Sequence, residues 1–219
     1  MKKLAALLIL VSTACFATEN QIDFTLGRGS PQSAARAGNL FQEDGSQGLN
    51  WSADFLHKIA RQVSIGIGGG HFSSGDNTET TFVPNTSSTV SSKMTSILAL
   101  GRLDLTSSAK FVPYVIAGIG WARNSLTVSA LPDSTWSDTG TSESRTLVDD
   151  SGSALGYAAG AGVDVALSDR IFLGVEARYQ GSTRRSFDVT PQGESVMDQG
   201  SVSTALKMVI LGIKAAVRY

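Results

Sequence analysis

Ala154-Leu155-Gly156-Tyr157-Ala158-Ala159-Gly160-Ala161-Gly162-Val163-Asp164-Val165-Ala166-Leu167 is the stretch on which the fold turns. Leu155, Tyr157, Ala159, Ala161, Val163, Val165 and Leu167 occupy every second position, opposite Gly156, Gly160, Gly162 and Asp164. A period of two belongs to a β-strand, whose side chains point alternately to its two faces. The pattern resumes after Ser168-Asp169-Arg170, with Leu173, Val175, Ala177 and Tyr179 set against Glu176, Arg178 and Gln180. Two alternating runs joined by a short polar turn predict an antiparallel hairpin.

Working outward, the same alternation predicts strands over Gln21–Arg28, Gly48–His57, Gln62–Phe72, Ser92–Leu105, Phe111–Asn124 and Ser201–Tyr219. With the hairpin strands Ala154–Leu167 and Ile171–Gly181, that makes eight. No long stretch has helical periodicity. In the fourth strand Ile97, Ala99, Leu103 and Leu105 oppose Arg102 and Asp104, but Leu98 and Leu100 put apolar residues on both faces. The registers of the third and fourth strands therefore stay open to a one-residue slip, which would exchange their faces. The connections alternate long and short, and Ser73–Ser91, Ser125–Ser153 and Ser182–Gly200 are polar and rich in Ser, Thr, Asp and Gly. Brief periplasmic turns alternating with long outer loops are the topology of an outer-membrane barrel.

A soluble sandwich would also alternate. The apolar faces of Leu155–Leu167 and Val209–Tyr219 are long enough for a tilted span of about 9–11 residues. Trp51, Phe55, Trp121, Tyr157, Tyr179 and Tyr219 gather toward strand ends, as interfacial girdles do. In hydrocarbon an open sheet edge would leave amides unpaired, so the sheet has to close. The expected fold is all-β, an eight-stranded antiparallel up-and-down transmembrane β-barrel.

The first residues stand outside this pattern. Lys2 and Lys3, the apolar run Leu4–Val11 and the small residues of Ala14-Cys15-Phe16-Ala17 read as a secretory signal peptide. Residues 1–17 are expected to be the leader and 18–219 the barrel domain. A lipoprotein signal with Cys15 as the lipidated residue is the alternative. Removing Lys2 and Lys3 from 18 Lys+Arg leaves 16 against 19 Asp+Glu, a charge of −3. Such a balance offers nothing to nucleic acid. Cys15 is the one cysteine, so the processed chain has no thiol chemistry.

Phe111–Ala122, Gly156–Asp164 and Leu173–Tyr179 resemble strands shared by small outer-membrane β-barrel proteins. That group includes the transmembrane domain of outer-membrane protein A, the outer-membrane protein X and Ail adhesins, and the porin-opacity proteins. The last strand, with Val217 and the terminal aromatic Tyr219, resembles the signal read by the barrel-assembly machinery. The resemblance implies a monomer in a Gram-negative outer membrane, in contact with lipid and lipopolysaccharide. It allows loops that meet host or cell-surface ligands. No peptidoglycan-binding domain is expected after Tyr219. One barrel scaffold hosts many activities, so the function follows less directly than the fold.

Arg102, Asp104, Asp164, Glu176, Arg178, Lys214 and Arg218 are expected to face the lumen. Charges confined there should pair, because an unpaired buried charge costs several kcal/mol. Such a network either seals the barrel or lines a small gated pore. Surface adhesion or envelope integrity is the expected role, a low-conductance porin-like channel the alternative. A third reading is enzymatic. His71-Phe72-Ser73 has the His-x-Ser spacing found in the lipid A deacylases, themselves eight-stranded barrels. The element lies earlier in the chain than in that family, Ser74 stands where Asn would follow, and Asp76 lies in a loop. No catalytic site, cofactor or metal is therefore expected. His57 and His71 are isolated, and Glu143, Asp149 and Asp150 read as solvated acids rather than a calcium site. Trp136 in the third loop is a candidate contact residue.

Overall fold

The computed structural model describes residues 19–31, 47–74, 77–80, 87–106, 110–130, 145–197 and 200–219. Eight long strands run β1 (Asn20–Pro31), β2 (Gly48–Lys58), β3 (Val63–Ser74), β5 (Ser87–Asp104), β6 (Phe111–Ala130), β7 (Arg145–Ala166), β8 (Ile171–Ser182) and β11 (Lys207–Arg218). Between them lie β4 (Asn77–Thr80), β9 (Arg185–Asp188), β10 (Ser201–Thr204) and a short helix, Pro191–Met197.

The sheet order is β3-β2-β1-β11-β8-β7-β6-β5, and β5 pairs again with β3, which closes it into a barrel. Every pairing is antiparallel. Followed strand to strand from Gln21, the register passes Leu56, Gly66, Leu100, Gly118, Ala158, Gln180 and Met208. It returns to β1 at Pro31, ten residues above its start. Eight strands with that stagger tilt by about 40° and leave a bore that side chains fill.

Burial runs opposite to that of a soluble protein. Ile213 is 70% exposed, Leu211 64% and Val175 62%, while Lys214 is 1% exposed and Asp164 0%. A sandwich would reverse these values, because it buries its apolar stripe. The greasy set faces outward around the whole barrel, as lipid requires.

The register open in the sequence is settled by burial. Leu98 and Leu100 point inward, at 3% and 4% exposure, with Ile97, Leu103 and Leu105 outward. Ile65 and Ile67 also face out. Two expectations need correction. The third loop is shorter than 125–153, because β6 runs on to Ala130 and β7 begins at Arg145. Leu126 and Val128 alternate with Thr127 and Ser129 there, so the period of two outlasts the greasy outer face. The last strand is interrupted: Ser201–Thr204 pairs with β9, and only Lys207–Arg218 enters the barrel. Among the described residues a short helix lies within the last polar loop, at Pro191–Met197, where Thr190 caps the first turn by accepting from the Gly193 amide at 3.0 Å. Proline at the first helical position suits that start.

Above the membrane-facing wall, β9, β10 and the helix pack on the extended β6–β7 hairpin. Leu126, Val128, Leu147, Val148, Phe187, Val189 and Val202 form its core. Arg185 ties to Asp150 at 3.0 Å.

Candidate functional site: the barrel lumen

Alternation places one residue in two inside, and the ten-residue stagger decides which of these meet across the bore. Nearest the periplasmic end, Arg102 of β5 donates to Asp104 at 2.8 Å, to Asp164 of β7 at 2.7 Å and to Asp23 of β1 at 3.4 Å. Lys214 of β11 reaches Asp164 at 2.8 Å and Asp23 at 3.2 Å. Arg218 donates to Gln21 at 2.7 Å, stands 4.0 Å from Asp104, and stacks over Phe172. Three cations thus meet three carboxylates. The periplasmic mouth opens into a recess of about 580 Å³ lined partly by Lys58, Lys110, Asp104 and Arg218.

One layer up, Arg178 of β8 bridges Asp54 of β2 at 2.6 Å and Glu176 at 2.7 Å. Here two carboxylates share one guanidinium. Tyr114 joins the two layers. Its hydroxyl donates to Glu176 at 2.8 Å, while Arg102 and Lys214 sit 3.8 and 4.0 Å from its ring centroid. Cations held against an aromatic face out of water gain from the ring's quadrupole.

Higher still the pairs are neutral: Gln180 donates to Ser96 at 2.7 Å and Asn124 to Ser182 at 2.6 Å. Toward the outer end Phe72, Met94, Ala122, Leu206, Met208 and Ile210 make an apolar layer. This layer lies above the charged groups, and beyond it Ser92 donates to Ser74 through its amide at 2.8 Å.

All seven charges expected inside lie there, and the structure brings them into two groups. Asp23, Asp54 and Tyr114 belong to the same groups and were not among the site residues read from the sequence. Their signal was available: Asp23 and Asp54 stand opposite Phe24 and Phe55 in alternating runs. Val217 pairs with Ile22 and Ile171, and Tyr219 exchanges backbone hydrogen bonds with Asn20 at the closing seam.

The His-x-Ser pair points elsewhere. His71 and Ser73 share the outward face of β3, above Ile65 and Ile67. The His71 ring contacts Thr95 Oγ1 at 2.9 Å and tilts against Trp51, and Ser73 donates weakly to the Ser74 carbonyl at 3.4 Å. Asp149 accepts from Thr127 and Asp150 pairs with Arg185. Among the described residues no cluster of three or more His, Cys, Asp or Glu is placed to hold a metal. Trp136, Glu143, Asp76 and the leader lie outside the described residues.

Comparison with known proteins agrees with this geometry. The family model of the outer membrane protein beta-barrel domain matches residues 4–206. Neisserial surface protein A has a similar fold, at TM-score 0.53 and 13% identity, covering 91% of this chain and 97% of its own. The outer membrane protein OprG from Pseudomonas aeruginosa is similar at TM-score 0.51 and 15% identity, with 93% and 96% covered. No curated protein sequence matches the chain significantly.

Proposed function

We propose that this chain, which belongs to the outer membrane protein beta-barrel family, is a closed-lumen, non-enzymatic barrel of the Gram-negative outer membrane. Its outward loops serve surface interaction and envelope integrity. The observation that carries this reading is the bridging of the bore. Arg102 and Lys214 tie β5 and β11 to Asp23 of β1 and Asp164 of β7. Charges so buried, with exposures of 1% and 2% for the cations, relinquish their partners only at a cost of several kcal/mol. An ion crossing the bore would have to part them and then pass the apolar layer at Phe72 and Met94.

The non-enzymatic part rests on the contacts of His71. Its partners are a threonine and a tryptophan. A serine nucleophile needs a base oriented toward it.

Planar-bilayer recordings on the purified full chain test the closed lumen. Silence at the conductance scale of a small pore is expected. Steady ion-selective steps that follow the protein and vanish on its heat unfolding would overturn the reading in favour of a channel.

A further inference from the structure

The outward wall carries a site of its own. Around the membrane-facing belt the greasy side chains are mostly tall, but Ala161 of β7 and Ala177 of β8 face each other as a pair. Small residues there, flanked by Leu26, Leu211, Ile213 and Val175, leave an apolar groove of about 640 Å³. It starts under Arg28 and Leu49, at the outer end of β1 and β2, and descends to Ala161 and Val163 near mid-span.

The charge at its head is selective. On the described strand walls just above the Trp51–Trp121 girdle, the outward-facing charged side chains are Arg28, Lys93, Arg123 and Lys207, all basic. Among the described residues of these walls the outward acid is Asp149, further out along β7 and hydrogen-bonded to Thr127. Of these cations Arg28 is the one that lines the groove. Among the described residues it donates to Gln47 at 3.2 Å. A guanidinium carries five N–H donors and matches phosphate oxygens in a two-pronged fashion.

We propose that this groove binds a phosphorylated lipid of the outer leaflet, lipid A, with one acyl chain laid over Ala161 and Ala177 beside Leu211 and a phosphate on Arg28. The occupant follows from position and charge. An apolar trough in hydrocarbon takes an acyl chain, and a cation at its outer end selects an anionic headgroup in the leaflet facing the loops. The site depends on the barrel spanning the outer membrane, not on the lumen being closed.

The test is native mass spectrometry of the full chain released from micelles containing equal amounts of bisphosphorylated lipid A, phosphatidylglycerol and phosphatidylethanolamine. Lipid A adducts are expected to dominate. Arg28→Gln is expected to lower them on the order of fivefold to tenfold, since one interfacial cation is worth about 1 kcal/mol or somewhat more when bidentate. Ala177→Phe, which fills the trough without touching charge, is expected to lower them as well, and Arg123→Gln to leave them unchanged. Heat-modified gel migration confirms that each variant is folded. Equal losses in Arg28→Gln and Arg123→Gln would mean diffuse attraction by the rim and would overturn the site. So would equal retention of lipid A and phosphatidylglycerol, or lipid A retention unaffected by both Arg28→Gln and Ala177→Phe.

Discussion

Phe72 of β3 lays its ring over Gly29 of β1, so that a Cβ added at Gly29 would stand 2.6 Å from Phe72 Cε2. Gly29 is paired with Gly48 of β2, where an added Cβ would meet the same ring atom at 2.6 Å. The two glycines form a seat for the ring, and the ring contributes to the apolar layer above the polar column. Gly29→Val is expected to push Phe72 off this seat and to cost about 1–3 kcal/mol by overpacking. Phe72→Ala should cost about 3–5 kcal/mol. Urea unfolding in detergent, followed by tryptophan fluorescence, measures both. A neutral Gly29→Val would mean the ring has somewhere else to go.

Arg102 is the cation on which the lower layer converges. Arg102→Ala leaves Asp23, Asp104 and Asp164 with Lys214 and the more distant Arg218, and is expected to cost about 3–5 kcal/mol. Adding Asp104→Ala removes one of the stranded carboxylates. The double variant should therefore be less destabilised than the sum of the two single ones, and equilibrium unfolding of all three gives the coupling. Strict additivity would show that Arg102 and Asp104 do not act as a pair.

The barrel was readable because lipid demands an unbroken apolar outer face along each span, and Ala154–Leu167 and Val209–Tyr219 display it at every second position. Which charges face inward followed from the same rule. Their grouping did not. That Arg102 meets Asp164 rather than Glu176 depends on the ten-residue stagger, which exists only once the strands are paired round the circuit. Leu98 and Leu100 left the register open because the lumen wall is itself partly apolar, with Leu56, Tyr114, Ile116 and Ala158 beside them. Outside the membrane the sequence offered weaker cues. Leu126 and Val128 look like scattered apolar residues in a polar loop until Phe187 and Val202 arrive to cover them.

The middle layer holds a surplus of negative charge, since Asp54 and Glu176 share Arg178. Its variants should differ sharply. Arg178→Gln strands two buried carboxylates and is expected to cost about 3–5 kcal/mol. Glu176→Gln removes the surplus, and its side-chain oxygen still accepts from the Tyr114 hydroxyl, so a change within about 1 kcal/mol is expected. Parallel urea titrations decide the matter. Comparable losses in the two variants would show that both carboxylates are needed as charges.

Phe187 and Val202, both 0% exposed, fasten the final outer segment to the β6–β7 extension. The neighbouring Arg184 is exposed and offers trypsin a cleavage point, but cleavage requires the segment to open locally. Phe187→Ala removes its largest buried side chain there, and truncations of this kind cost about 3–5 kcal/mol when the site cannot collapse. Even about 3 kcal/mol raises the open population on the order of a hundredfold. Limited trypsinolysis of the folded barrel in detergent should therefore cut Phe187→Ala near Arg184 far faster than the parent chain, while the barrel strands stay intact. The ion pair is the control: Arg185 and Asp150 are each 22% exposed, so Asp150→Asn is worth no more than about 1 kcal/mol and should accelerate cleavage only severalfold. Cleavage of the parent chain and Phe187→Ala at the same rate would show that this segment is not held down by its apolar core.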